Sequence, residues 1–186
     1  VRIHFAFLAI LMGLSAGTTA LVARAIGGKK IRDAADITQL SLWLGIGVAL
    51  LMSLIVWLSA PAIAERFAST EQTLAFTITY LRWSCVFNVN VAVMLVLSSA
   101  LRAAGDARVP MYVALLTNLL HLALAVALTF GYDGTLLQWS ALHLKGTALG
   151  AGIAHITGSA ILLYLWMSNR LLIRFHRPRL QRDVFA

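Results

Sequence analysis

Imidazoles and amides carry most of the chemistry that the long apolar stretches of this chain could perform. They are His4, His121 and His155, with Asn88, Asn90 and Asn118. No Asp or Glu lies inside any of those stretches. That absence matters, because ion-coupled carriers usually rely on a carboxylate whose ionisation changes during the cycle, and it leaves the histidines as the ionisable groups within the stretches. Imidazole is the side chain whose charge changes nearest neutrality, which suits a proton carrier or a substrate ligand. His121 follows Asn118 by three residues, so the two share a helix face. The plain structural reading is a neutral histidine hydrogen-bonded to a neighbouring helix. His155, with Thr157, has the same two readings, and the glycines around it favour the structural one. Asn88 and Asn90 stand about 200° apart around a helix, so at most one of them faces a given cavity. His4 sits at the end of its stretch, where an interfacial place is simplest.

Other chemistries are excluded by residue type and spacing. There is no Cys/His cluster with metal-ligand spacing, no pair of carboxylates and no glycine-rich phosphate loop with its lysine. Neither an enzyme nor a resident cofactor is expected. Cys85 is the one cysteine, which rules out an intrachain disulfide and reads as a small packing residue.

The elements that must position these groups are five runs free of Asp, Glu, Lys and Arg, at 3–23, 37–64, 83–101, 109–132 and 146–169. At about 1.5 Å per residue even the shortest approaches the roughly 30 Å hydrocarbon core of a bilayer. Hydrophobic residues make up 60% of the chain and charged ones 12%, with a mean hydropathy of +0.85. Soluble domains carry about twice that share of charge. The reading is an all-α integral membrane protein whose solvent is the lipid bilayer, with no β-strand expected.

The net charge of +8 could suggest nucleic acid, but its placement follows helix parity. Alternate gaps hold eleven Lys and Arg on one side (Arg24, Lys29, Lys30, Arg32, Arg102, Arg108 and five Arg between 170 and 182) and four on the other (Arg2, Arg66, Arg82, Lys145). The positive-inside rule puts the rich side in the cytoplasm, leaving the N-terminus of this chain outside and its Arg-rich tail inside the plasma (inner) membrane. The chain opens Val1-Arg2 with no signal peptide, and reads as an excised part of a longer protein.

Local signals mark the joints. Gly13 and Gly17 predict close helix approach in the first span, and Gly45 and Gly47 another contact in the second. Gly27-Gly28 stop the first helix, and 29–36 reads as a charged turn or short surface helix. Pro61 is expected to break the second helix as it leaves the bilayer. Ser69 or Thr70 caps a third helix that runs over 72–103. In the segment 101–110, Gly105 supplies a left-handed residue, Asp106 caps the next helix, and Pro110 suits its first turn. So short a link predicts that the third and fourth spans lie side by side. Gly146, Gly150, Gly152 and Gly158 crowd the fifth, and 170–186 reads as a basic cytoplasmic linker.

Two of these joints resemble a known family. Gly13-Leu-Ser-Ala-Gly-Thr-Thr-Ala-Leu-Val-Ala-Arg-Ala-Ile-Gly27, followed by a basic turn, is similar to the second helix of multidrug and toxic compound extrusion (MATE) transporters. Leu101-Arg-Ala-Ala-Gly-Asp-Ala-Arg-Val-Pro110 resembles their link between helices four and five. The resemblance extends over essentially the whole chain, and the Leu-Arg-x-x-Gly-Asp-x-Arg-x-Pro stretch is its most specific part. It implies five transmembrane helices of a six-helix MATE-type lobe, at 3–23, 37–64, 72–103, 109–132 and 146–169, namely helices two to six of the N-terminal lobe. It further implies partners: the lipid bilayer, a missing first helix, a second lobe, and small cationic or amphipathic substrates exported in exchange for H+ or Na+.

The family's helix-five Asn, and the Asp four residues on, fall at His121 and Ala125, so the aspartate is absent here. A helix-six threonine falls near His155 or Thr157. On these counts Asn118, His121, Asn88 or Asn90, His155 and Thr157 are the candidate substrate or cation ligands. Two rival functions are a lipid-linked saccharide flippase of the same wider superfamily, which would favour a cationic cavity, and a non-transporting membrane fragment.

Overall fold

The computed structural model describes residues 2–66, 70–133, 138–139 and 143–168. Five helices account for nearly all of them: α1 (Arg2–Gly27), α2 (Ile31–Glu65), α3 (Glu71–Ala103), α4 (Arg108–Phe130) and α5 (His143–Met167). Each contains a stretch long and apolar enough to cross a membrane. The expected basic linker at 170–186 and Ser69 lie outside the described residues.

One departure from the all-helical expectation is a two-stranded antiparallel ribbon between α4 and α5. β1 (Tyr132–Asp133) pairs with β2 (Gln138–Trp139), Tyr132 opposite Trp139. Gly131 turns the chain out of α4 with φ +76°, and two short extended segments then satisfy each other's backbone groups. No apolar periodicity marks pairs so short.

The helix ends are built from local hydrogen bonds. α1 closes with Lys29 N–H on the Ile26 carbonyl and Lys30 N–H on that of Ala25, both 2.9 Å. The left-handed residue there is Lys29, φ +58°, rather than either of the two glycines expected to stop the helix. α3 ends in the same motif, with Asp106 N–H on the Leu101 carbonyl at 3.0 Å and Gly105 at φ +92°. Asp106 Oδ1 then accepts from the amides of Arg108 (3.1 Å) and Val109 (3.2 Å), so it caps α4 as expected. Thr70 caps α3, its Oγ1 accepting from Thr73 N–H at 3.2 Å.

Two other joints differ from expectation. The charged segment after Lys30 is no separate surface helix: α2 starts at Ile31 and runs straight into the span. Ala34 and Ala35 are buried with Val22, Ala25 and Ala100, which ties this first turn to α1 and α3. Pro61 does not end α2, which continues to Glu65. Ala60 and Ala64 are fully buried on either side of the proline, and that packing holds the helical course despite the missing N–H.

α3 is the central rod. Half of its most apolar window is buried, against about a tenth for α2 and α4. Its Val93, Val96, Leu97 and Leu101 join Leu42, Val113, Leu162 and Trp166 in the largest core cluster. Phe7, Leu11, Ala49 and Ala92 form a second cluster toward the start of α1. The expectation that the third and fourth spans lie side by side is corrected here. α4 meets α3 only sparsely, while α5 packs along both.

The glycines of α5 are the physical reason. A β-carbon placed at Gly146 would collide with the Leu128 carbonyl, and one at Gly150 would come within 2.8 Å of the Ala125 nitrogen. At Gly152 it would meet the Phe87 ring of α3. α5 therefore wedges between α3 and α4 where Cβ-free positions let backbones approach.

Gly45 also fits its prediction, with Val96 Cγ2 at 3.1 Å and Leu14 Cδ2 at 3.4 Å from such a β-carbon. Gly13, Gly17 and Gly47 do not: nothing lies within 4 Å of theirs, so those faces pack against no other described residue.

Candidate functional site

The site candidates sort by which helix each one faces. On α3, Asn88 is buried and donates from Nδ2 to Ser53 Oγ on α2 at 3.1 Å. Ser53 in turn donates to the Cys85 carbonyl at 3.0 Å. This is an α2–α3 fastening, turned away from the remaining candidates. Asn90 faces the opposite way, and its Oδ1 accepts from Ser159 Oγ of α5 at 2.8 Å. The two asparagines therefore point to different helices, as their spacing requires.

On α4 and α5 the structure joins two residues that the sequence treated separately. The rings of His121 and His155 lie with centroids 6.4 Å apart, tilted by 44°. Both histidines are half-buried. Ser159 is four residues beyond His155, so the Asn90–Ser159 bond lies one turn along the same helix. Thr117, four residues before His121, is only 4% exposed, and its Oγ1 has no hydrogen-bond partner. Its Oγ1 lies 2.5 Å from where a β-carbon on Gly158 would be, in a tight part of the α4–α5 seam. Asn90, Thr117, His121, His155 and Ser159 thus form a polar layer across α3, α4 and α5.

Asn118 does not join this layer. It is exposed, three residues before the half-buried His121 on α4. Thr157 donates back to the Ile153 carbonyl of its own helix at 2.9 Å, the usual resting place of a helix threonine. His4 belongs to α1.

Thr117 and Ser159 were missed in the sequence, as was the His121–His155 encounter. One signal could have found them. Gly146 against Leu128, Gly150 against Ala125 and Gly158 against Thr117 define a single antiparallel register, and that register carries His155 to the level of His121.

In chemical terms the layer offers two imidazoles, one amide and two hydroxyls. None of the described Asp, Glu, Lys or Arg residues lies in the middle of α3, α4 or α5. Among the described residues no three His, Cys, Asp or Glu side chains gather as a metal site. The layer is suited to accepting, holding and passing a proton, or to hydrogen-bonding a polar part of a ligand.

The MatE family model matches residues 1–127. The chain is 28% identical over 157 residues to a probable multidrug resistance protein NorM of Thermotoga maritima, covering 84% of this chain and 33% of that protein. It is 27% identical over 165 residues to the multidrug export protein MepA of Staphylococcus aureus, covering 87% and 35%. The chain spans about a third of the length of these relatives.

Among solved structures, a MATE transporter in the bent conformation superposes with a TM-score of 0.83 at 18% identity, over 96% of this chain and 39% of that one. The inward-facing form of a multidrug resistance MATE family transporter gives 0.80 at 20% identity, over 93% and 39%. Those likenesses establish the fold. The family pattern runs through residues 1–127, more than half of the chain, and five of its helices are long and apolar enough to cross a membrane, so this multi-pass membrane chain belongs to the MatE family, that of the multidrug and toxic compound extrusion transporters.

Proposed function

We propose that this chain forms one lobe of a secondary active antiporter that exports cationic or amphipathic drugs and toxic compounds, driven by protons taken up at His121 and His155. The observation that carries the reading is the meeting of these two imidazoles on the α4–α5 seam, in spans that hold no carboxylate. Sodium prefers several hard oxygen ligands, whereas a pair of imidazoles is a base for protons. Amide and hydroxyl dipoles from Asn90, Thr117 and Ser159 supply the polar surroundings a charged ring needs in lipid.

The working unit of this reading contains a further first helix and a second lobe. The present chain supplies helices two to six of the N-terminal lobe, with its cationic loops in the cytoplasm. Transport follows from rocking the two lobes against each other about the substrate. The outward face of α4, with Asn118, is then available to line the space between them. A flippase for phosphate-bearing saccharides has less support, because none of the described Lys or Arg reaches the polar layer.

The test is drug efflux by the full-length transporter in vesicles with an imposed proton or sodium gradient. A proton gradient alone is expected to drive efflux. His121→Ala and His155→Ala are each expected to lower that efflux at least tenfold and to flatten its dependence on pH between 5 and 8. Efflux that follows sodium, or that keeps its pH profile in both variants, overturns the assignment.

A further inference from the structure

Arg82 plays no part in the transport reading, and its surroundings ask for a ligand. It lies 20 residues before Arg102 on α3, which is about 30 Å of helix. Trp57 lies 21 residues after Asp36 on antiparallel α2, about 32 Å along. Both therefore stand one hydrocarbon thickness from the charged ends of their helices, at the opposite membrane interface. Tyr80, Trp83 and Trp57 are all exposed there, in keeping with an aromatic belt at headgroup level.

The guanidinium carbon of Arg82 sits 5.5 Å from the centroid of the Trp57 ring, a cation–π contact that orients the fork. Its Nε is enclosed and has no hydrogen-bond partner. The terminal nitrogens are not enclosed, and no hydrogen bond or ion pair joins Arg82 to another described residue. The nearest carboxylate in sequence on its own helix, Glu71, is 11 residues away, about 16 Å toward the hairpin tip. A guanidinium at this depth, stacked on one face and unpaired along its outer edge, is satisfied by a planar, bidentate oxyanion.

An apolar track runs from this edge toward the membrane centre. Leu50, Leu54 and Trp57 are exposed at helical spacing along one face of α2, and Val86, one turn beyond Arg82, is exposed on α3. Such a track suits an acyl chain and has nothing to offer a free anion.

We propose that Arg82, held by Trp57, binds the phosphate of a phospholipid in the leaflet opposite the Arg102 end. The acyl chain of that lipid lies along Leu50, Leu54 and Val86. A headgroup with net negative charge is preferred, because no neighbouring carboxylate offsets the guanidinium. The site is separate from the His121–His155 layer and does not depend on the transport reading.

The test uses the full-length protein, delipidated in detergent and exposed to phosphatidylglycerol or phosphatidylcholine, with bound lipid counted by native mass spectrometry. Phosphatidylglycerol is expected to be retained in preference. Arg82→Gln is expected to weaken its retention about fivefold, the worth of one basic residue at an anionic surface. Trp57→Leu is expected to weaken it less, and excess inorganic phosphate to leave it unchanged. Unchanged retention in Arg82→Gln overturns the proposal, and displacement by inorganic phosphate reassigns the site to free anions. Should Arg82→Gln fail to yield monodisperse protein, Arg82→Lys decides the matter: weaker phosphatidylglycerol retention than in the unsubstituted protein supports the bidentate contact, and equal retention refutes it.

Discussion

Lys29 and Gly105 hold equivalent places after α1 and α3, each the left-handed residue of a helix-ending motif. Only Gly105 does so without a β-carbon penalty. Nothing lies within 4 Å of a β-carbon placed at Gly105, so Gly105→Ala isolates backbone strain from crowding. It is expected to destabilise the protein by about 1 kcal/mol, read as a lower thermal midpoint in detergent. Lys29→Gly is expected to move the midpoint the other way. Equal, small effects at both sites would show that the loops carry no strain.

At this scale the sequence was informative wherever chemistry is local. Gly105, Asp106, Pro110 and Thr70 were legible because a cap or a turn is decided within a few residues. Lys29 was not legible, because Gly27 and Gly28 beside it are better left-handed residues. Which position takes that conformation depends on where α2 must begin in order to bury Ala34 and Ala35.

Elements answer to packing. The α4–α5 seam is set by glycines whose absent β-carbons admit the neighbouring backbone. At Gly158 a β-carbon would lie 2.5 Å from Thr117 Oγ1 and 2.8 Å from Met94 Sδ. Gly158→Val is therefore expected to cost about 1–3 kcal/mol by overpacking and to separate His121 from His155. The check is a fall in thermal midpoint together with the loss of proton-driven efflux.

Gly13→Ala is the contrasting case, since its face is open in this chain. It is expected to leave the chain as stable as before, or slightly more so through helix propensity. Destabilisation of the full-length protein by the same change would place another helix against that face. The glycine pattern alone could not separate these two situations. Small residues permit close approach, but only the position of a neighbouring helix decides whether any approach occurs. The same limit explains the mistaken pairing of the third and fourth spans. A short link makes two rods meet at one end, and the wedge of α5 keeps them apart elsewhere.

For the whole molecule the governing quantity is the alternation of charge between the two ends of the bundle. The proposed orientation puts the α1–α2 and α3–α4 loops in the cytoplasm. Lys30→Cys, in a full-length protein with Cys85 replaced, is expected to react with an impermeant thiol reagent only from the cytoplasmic side. Labelling of intact cells from outside would refute that orientation, and with it the sidedness assigned to Arg82 and the exporter's direction. The matched relatives are about two and a half times the length of this chain, so transport is a property to be measured on the longer protein.

Five apolar runs, their loop charges and the motif around Gly105 determined the membrane class, the helix count and the family from residue order alone. Each of those depends on sums over one segment: hydropathy over a span, charge over a gap, hydrogen bonds over a turn. The encounter of His121 with His155, the opposite allegiances of Asn88 and Asn90, and the stacking of Arg82 on Trp57 were decided only in three dimensions. A uniform apolar helix has no preferred face in lipid until a neighbour supplies one, and here the shape of the α5 seam and the crossing of α2 over α3 made that choice.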